Sequence, residues 1–529
     1  MLPSFPDSGR IFGRFIQILF FSWTICLSLP LAAEDGWKVK LQAILDEPTY
    51  KQAHWGVLAV DQATGDVLFE HNAHKLFAPA SVTKLYSVAA ALDELGADFR
   101  FETPIYRRGE VDAAGQLAGD LILVASGDLT LGGRTTPEGK IGFQNSDHTY
   151  ASGGAISKIT EADPLAGLRE LAQQVAAAGI KSVKGDVLID DRLFDREEST
   201  GSGPDLVSPV TLNDNLVDVV VTPASEIGTR ATFDWRPKTA LLNVDCAVRT
   251  VAEDAETDVS ISWSGPGRVV VRGQISLGHA STLSVADWSN PEFYVRGCLI
   301  EEIGRAGVEV EESLFTAPDV ASLPVQEWYT AAPKVATLLS PPFSENAKLI
   351  LKVSHNLHAS TLPLLIAAKH GERTLASGLK REGEFLQRAG VDISTISFGG
   401  GAGGSRSDFT TPAATVQLLR YMATRPDFAV YNDALPVLGV DGTLSSVVDE
   451  SSPARGKVRA KTGTYFLENS LNGRWLLTSK ALAGYADAAS GRKVVFAVFV
   501  NGTHLDSSDE TRREGRTLGR IAETIQQGL

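Results

Sequence analysis

Two stretches near the start of the chain, 55–61 and 66–71, show strand-like runs joined by Gln62-Ala63-Thr64-Gly65, so they predict a hairpin. Pro79-Ala80-Ser81 then opens a helix in which Val82, Leu85, Val88, Ala89, Leu92 and Leu95 recur at helical spacing, with Gly96 as its stop. Ser81 falls in the first turn. From about 99 to 333 the pattern changes to short alternating runs with frequent Gly and Asp, which predicts β-rich domains. One helix over about 164–178 interrupts them, and the Gly-, Ser- and Thr-rich segment 133–159 reads as a long loop.

Helical spacing returns after Pro341-Pro342, with Ser344 as the expected N-cap and an apolar stripe through Leu349, Ile350, Val353 and Leu357. Pro363 is expected to end that helix and to sit in the first turn of the next, and a further helix covers about 375–389. Strand-like runs follow at 458–464, 475–478, 482–485 and 494–501, then a polar helix over 511–527. An antiparallel sheet flanked by helices, an α+β fold, is the simplest assembly.

At 529 residues the chain is too long for one core, and 43% hydrophobic with 21% charged residues is the composition of a soluble globular protein. A formal charge of −15 excludes the basic face that nucleic-acid binding requires. Arg10 and Arg14, an apolar run over 15–27, and Pro30-Leu31-Ala32-Ala33 before Glu34 and Asp35 read as an export signal, with cleavage expected after Ala33. A retained anchor is the competing reading, although the run is short of the ~20 residues a spanning helix needs. Beyond Cys26, in the signal, only Cys246 and Cys298 remain, either as one disulfide or as two buried thiols. No Cys/His spacing suggests a metal site.

Three short motifs carry candidate chemistry: Ser81-Val82-Thr83-Lys84, Ser354-His355-Asn356 and Lys461-Thr462-Gly463-Thr464. The first sets a hydroxyl and an amine three residues apart on one helical face, where the amine can act as base if burial and a neighbouring cation depress its pKa. Lys461 is the expected neighbour. Ser354 offers a second hydroxyl for proton transfer, and Asn356 a carboxamide for a substrate peptide group. Gly463 is expected to let a substrate backbone approach the strand, and the amides of Ser81 and Thr464 to face an oxyanion.

The triplet resembles that of penicillin-binding proteins and serine β-lactamases. About 270 residues lie between the first two motifs, too many for one plain domain of that kind, and imply a large insertion. That layout is similar to the D-alanyl-D-alanine carboxypeptidase/endopeptidase family of the penicillin-binding protein 4 type. Segments 119–128 and 185–194, Leu339-Ser340-Pro341-Pro342, Val440-Asp441-Gly442-Thr443-Leu444 and Leu482-Ala483-Gly484-Tyr485 fit it too.

The resemblance implies a split transpeptidase-like domain from residues 34–98 and 334–529, with two smaller β-rich domains inserted over 99–333, behind a signal at 1–33. It implies Ser81 as nucleophile, Lys84 as base, Ser354 as catalytic partner, and Asn356, Lys461, Thr462, Gly463 and Thr464 as substrate-binding residues. The expected enzyme is a periplasmic, cofactor-free and metal-free D-Ala-D-Ala carboxypeptidase and endopeptidase. It would act on peptidoglycan stem peptides, with β-lactams as covalent inhibitors and no membrane anchor after processing. A serine β-lactamase and a catalytically weak wall-binding scaffold are the alternatives. Two departures stand out: His355 replaces the family's Asp or Asn, and the glycine-rich run 399–405 replaces a more polar segment. His355 is expected either to titrate near neutrality or, as a spectator, to face solvent; the run is expected to form a flexible rim, with Arg406 and Asp408 either lining it or paired at the surface.

Overall fold

The computed structural model describes residues 36–151 and 158–529; the expected signal lies outside the described residues. The strands that the sequence places at the two ends of the chain meet in one antiparallel sheet. Its order is Val458–Asn469, Arg474–Asp487, Lys493–Asn501, His54–Asp61 and Val67–His71, with Thr503–Leu505 alongside the second strand. The predicted runs 475–478 and 482–485 are one continuous strand.

Alternation along these strands sorts side chains onto two faces, as the pleat demands. On one face Ala481, Ala483, Val495, Ala497 and Phe499 pack with the helices Lys84–Leu95, Asn356–Lys369 and Pro412–Met422. On the other, Leu482, Val494, Phe496 and Val498 pack with Gly36–Leu45 and Glu510–Gly528 through Trp37, Leu41, Leu518 and Ile521. Val458–Asn469 is an edge strand, and the third motif lies on it.

The chain between these halves builds a second body around its own apolar core. One sheet runs Glu309–Val310, Ser182–Val183, Gln116–Val124, Glu102–Val111 and Lys334–Leu339, with Val187–Asp190 also pairing to the central strand. Two three-stranded sheets, centred on Leu216–Thr222 and on Arg268–Ser276, share that core. The expected helix is Ala166–Ala177. A second, Pro291–Arg305, was not expected, although Asn290 caps it and Pro291 occupies its first turn. Cys246 and Cys298 are separate buried thiols.

Three local expectations need correction. Ser344 does not cap its helix: Phe343–Val353 starts after Pro342, with no side-chain cap. That helix ends before Leu357, because Ser354 takes the left-handed conformation (φ 68°, ψ 35°). Pro363 does not break the chain either; it lies inside Asn356–Lys369. The interruption expected at the proline sits nine residues earlier, at the second motif itself. A non-glycine residue in this region costs about 1–2 kcal/mol, so the surroundings of Ser354 must hold it there.

Candidate active site

Ser81 lies in a 3-10 turn, Ala80–Thr83, that feeds into Lys84–Leu95. Two glycines make room for that turn. A Cβ on Gly463 would stand 2.4 Å from the Pro79 carbonyl oxygen, and one on Gly403 would stand 1.9 Å from that of Ala80. Gly463 therefore admits the turn that carries Ser81.

The side chain of Lys84 is fully buried, with Nζ 2.8 Å from Ser81 Oγ, 2.6 Å from Asn356 Oδ1 and 2.7 Å from the carbonyl oxygen of Ala402. Burial, then the charge of Lys461, holds this amine well below the ordinary lysine range, with Asp408 acting in the opposite sense. A neutral amine has two N–H bonds, which Asn356 and Ala402 can accept. Its lone pair is then left for the hydroxyl hydrogen of Ser81.

Lys461 is also fully buried, and its Nζ donates to Ser354 Oγ at 2.9 Å and to the carbonyl of Thr462 at 2.8 Å. Burial pushes its pKa down to about 7. It is no solvated lysine on an edge. Asn356 is held on both sides, since its Nδ2 donates to the Ser202 carbonyl at 2.7 Å. Thr462 Oγ1 meets Thr443 Oγ1 at 2.7 Å, and Thr464 Oγ1 accepts from Lys480 at 2.9 Å. Thus Ser81, Ser354, Asn356, Thr462 and Thr464 line one cleft of about 720 Å³, with Lys84 and Lys461 bonded directly behind it and Gly463 beneath the Ser81 turn. Lys480 and Arg512 line that cleft too, and sequence reasoning missed both. Lys480 lies between the expected runs 475–478 and 482–485, and it faces Thr464 across the strand pair that they form with 458–469.

The run 399–405 is not a loose rim. Ala402 accepts from Lys84 and Gly401 from Ser87, and the amides of Gly399 and Ser405 donate to Asp408 at 2.7 and 2.8 Å. Asp408 is buried and serves those amides, not Arg406. Burial raises its pKa to about 6. Near it, Glu382 is buried with neither carboxyl oxygen hydrogen-bonded among the described residues. Burial and the charge of Asp408 raise Glu382 to about 8. A carboxyl whose folded pKa exceeds its unfolded value contributes stability below about pH 4.5 that is lost as pH rises through about 8. Melting temperature is therefore expected to fall between about pH 5 and 8 and to level off above that, and Glu382→Gln to flatten that fall; an unchanged slope in differential scanning fluorimetry would remove Glu382 as its cause.

His355 does not face solvent. It is fully buried, stacked on His358 at 3.7 Å between ring centroids, with Nε2 3.2 Å from Asp214. Burial and His358 push it down to about 4, so it is neutral at physiological pH. It belongs to a buried network that joins the inserted body to the second motif. Arg134 bonds Asp147 and Asp214 through four contacts of 2.8–3.0 Å, His148 bridges Asp214 and Asp218 at 2.8 and 2.7 Å, and His358 meets Asp214 at 2.7 Å. Although burial disfavours its charge, Asp218 and its neighbours raise His148 to about 10.

Asn213, Asp214 and Asn215 all have positive φ, a costly run that these bonds fasten. Asp214, His355 and His358 lie within a metal's reach of one another. The carboxylate already serves Arg134 and His148, and one of its oxygens meets the Nε2 atoms of both His355 and His358, at 3.2 and 2.7 Å. Arg134, Asp147, His148, Asp214 and Asp218 escaped the sequence reading because their meeting depends on the tertiary path of the loop once read as plain connection.

The family model described as the D-Ala-D-Ala carboxypeptidase 3 (S13) family matches residues 37–522. A D-alanyl-D-alanine carboxypeptidase from an Actinomadura species is 29% identical over 490 residues, covering 87% of this chain and 80% of the relative. A D-alanyl-D-alanine carboxypeptidase from Haemophilus influenzae is 24% identical, covering 87% and 88%. The crystal structure of penicillin binding protein 4 from Haemophilus influenzae matches with a TM-score of 0.68 at 21% identity, over 92% of this chain and 99% of that one. Its complex with a β-lactam matches at a TM-score of 0.66.

Proposed function

The chain belongs to the D-Ala-D-Ala carboxypeptidase 3 (S13) family, serine-type hydrolases of the penicillin-binding kind, and from that premise we propose that Ser81 is the residue acylated by substrate and by penicillin. The observation that carries this reading is the contact of Ser81 Oγ with an amine that is buried, depressed in pKa and backed by a second buried lysine.

Lys84 takes the Ser81 proton as Oγ attacks the carbonyl carbon of the penultimate D-alanine. The amides of Ser81 and Thr464 receive the oxyanion, a term worth roughly 3 kcal/mol per donor. Asn356 steadies Lys84 and the substrate peptide group. Ser354 passes its hydroxyl proton to the departing nitrogen and takes one in return from the Lys461 ammonium bonded to it, and its left-handed backbone aims the hydroxyl into the cleft. The carbon–nitrogen bond breaks, D-alanine leaves, and water hydrolyses the ester. The terminal carboxylate lies against Thr462 and Thr464, with Lys461 behind them.

The substrate is the stem peptide of peptidoglycan, which implies action outside the cytoplasm, after removal of residues 1–33. D-alanyl cross-links are a second substrate of the same reaction. Residues 34–98 and 334–529 form the split catalytic part and 99–333 the inserted part, with Lys334–Leu339 spanning the junction by pairing to Glu102–Val111.

Purified protein is expected to release D-alanine from an acyl-D-Ala-D-Ala peptide and to retain penicillin on the tryptic peptide that contains Ser81, read by mass spectrometry. Rapid turnover of benzylpenicillin without a persistent adduct would make it a β-lactamase. Neither labelling nor D-alanine release would leave a wall-binding scaffold.

A further inference from the structure

Two lobes meet at Ser81. The larger, about 720 Å³, is lined by Ser354, Thr443, Thr462, Lys480 and Arg512; the smaller, about 200 Å³, by Gly201, Ala402, Gly403, Gly404 and Tyr465. Ser81, Ser202, Asn356, Thr464 and Phe466 belong to both. The lobes differ in charge. The smaller is neutral, whereas the larger carries two cations and, among the described residues, no carboxylate in its wall. In a chain of net charge −15 such a surface calls for an anion.

A peptide cleaved at Ser81 must place its acyl half in one lobe and its leaving half in the other. The leaving half of a carboxypeptidase substrate ends in a carboxylate, so charge assigns it to the larger lobe. Lys84 and Lys461 are fully buried, bonded to Ser81, Asn356, Ser354 and backbone oxygens, and absent from the wall of the lobe, so neither presents an N–H to that carboxylate directly. Lys480 is placed differently. It is 8% exposed, lines the lobe, and donates to Thr464 Oγ1 at 2.9 Å and to the Thr511 carbonyl at 3.0 Å. A threonine hydroxyl that accepts from an ammonium keeps its own hydrogen for an anion in front of it. Arg512, in the first turn of Glu510–Gly528, is exposed beside it. Glu514, the acid whose charge acts on Lys480, is buried and bonded by Tyr50 and Arg513.

We propose that Lys480 is a specificity-determining residue that orders the Thr464 hydroxyl against the carboxylate of the departing D-amino acid, and that Arg512 takes a second carboxylate when the leaving group carries one. This rests on the carboxypeptidase reading, so the decisive measurement is binding, which does not need turnover. The Ser81→Ala protein is expected to bind an acyl-D-Ala-D-Ala peptide about ten- to hundredfold tighter than its C-terminal amide by calorimetry. Adding Lys480→Gln is expected to abolish that preference, and Lys480→Arg to restore part of it.

In the protein with Ser81 intact, Lys480→Gln is expected to raise KM for the acid far more than it changes kcat. Arg512→Gln, at an exposed site, is expected to weaken a peptide ending in D-glutamate several-fold more than one ending in D-alanine. A preference for the acid that survives Lys480→Gln, or an equal loss for acid and amide, overturns the proposal. Failure of the wild-type protein to label at Ser81 would instead overturn the carboxypeptidase reading, and the binding comparison would still stand on its own.

Discussion

Lys84→Met is expected to lower the rate of penicillin acylation by about 10⁴- to 10⁶-fold, as far as Ser81→Ala does, and the double variant to fall no further. The reason is geometric. Among the described residues the Ser81 hydroxyl has one acceptor placed to take its proton, the amine 2.8 Å away, and that amine is depressed by burial and by Lys461. A nucleophile and its base act as one device, so losing either removes the device. Methionine matches the length and burial of the lysine stem, which keeps the fold in place while removing the basic nitrogen. Stopped-flow acylation of the two single variants and the double one reads the result. A Lys84→Met protein that acylates within tenfold of the parent would show that another group takes the proton.

The second large effect is on stability. Arg134→Met is expected to cost about 3–5 kcal/mol, because it leaves Asp147 and Asp214 buried without their common cation. Arg134→Lys rescues little, since an ammonium cannot reproduce paired contacts from one guanidinium to two carboxylates. The loss is expected to spread to activity. Asp214 holds His355 and His358, which flank Asn356, and Tyr150, next to His148, donates to the carbonyl of Ser354. Urea unfolding of the parent and both variants, with penicillin labelling at each concentration, reads both parts. Unfolding midpoints within error of the parent would mean that water or the remaining histidine compensates the two acids.

Much of this arrangement was legible in the sequence because it is local. The hydroxyl at 81 and the amine at 84 are brought together by one turn of chain, and the edge strand at 458–464 announces itself by alternation. The family resemblance carried by the motifs implied one catalytic part built from both ends of the chain, and strands 54–71 and 458–505 share one sheet. What was not legible is what tertiary packing decides.

Pro363 looks like a breaker, yet its helix passes through it and the chain turns at Ser354 instead, where Tyr150 and Lys461 hold an unfavourable backbone conformation. His355 looked like a surface residue because nothing near it in sequence supplies the Asp214 carboxylate, 141 positions away by sequence number but 3.2 Å away in space. Asp408 looked like half of a surface ion pair with Arg406, its near neighbour, but the amides of the glycine-rich run claim it. For Ser354 and His355 the deciding partner comes from a distant segment; for Asp408 it is nearby backbone, which residue types do not announce.

The central sheet has a further consequence for how the molecule comes into being. Its His54–Asp61 strand lies between Val67–His71 and Lys493–Asn501, and Asn501 bonds Ala78 across 423 residues of chain. At about 5–20 residues per second of synthesis, roughly 20–85 s separate the emergence of these partners. Through that interval the apolar edge of the first hairpin has no neighbour, which is the circumstance that favours strand exchange between nascent copies. The inserted body, closed on its own core, can mature in the meantime, so the last strands to appear would complete a nucleophile pocket around a body already formed.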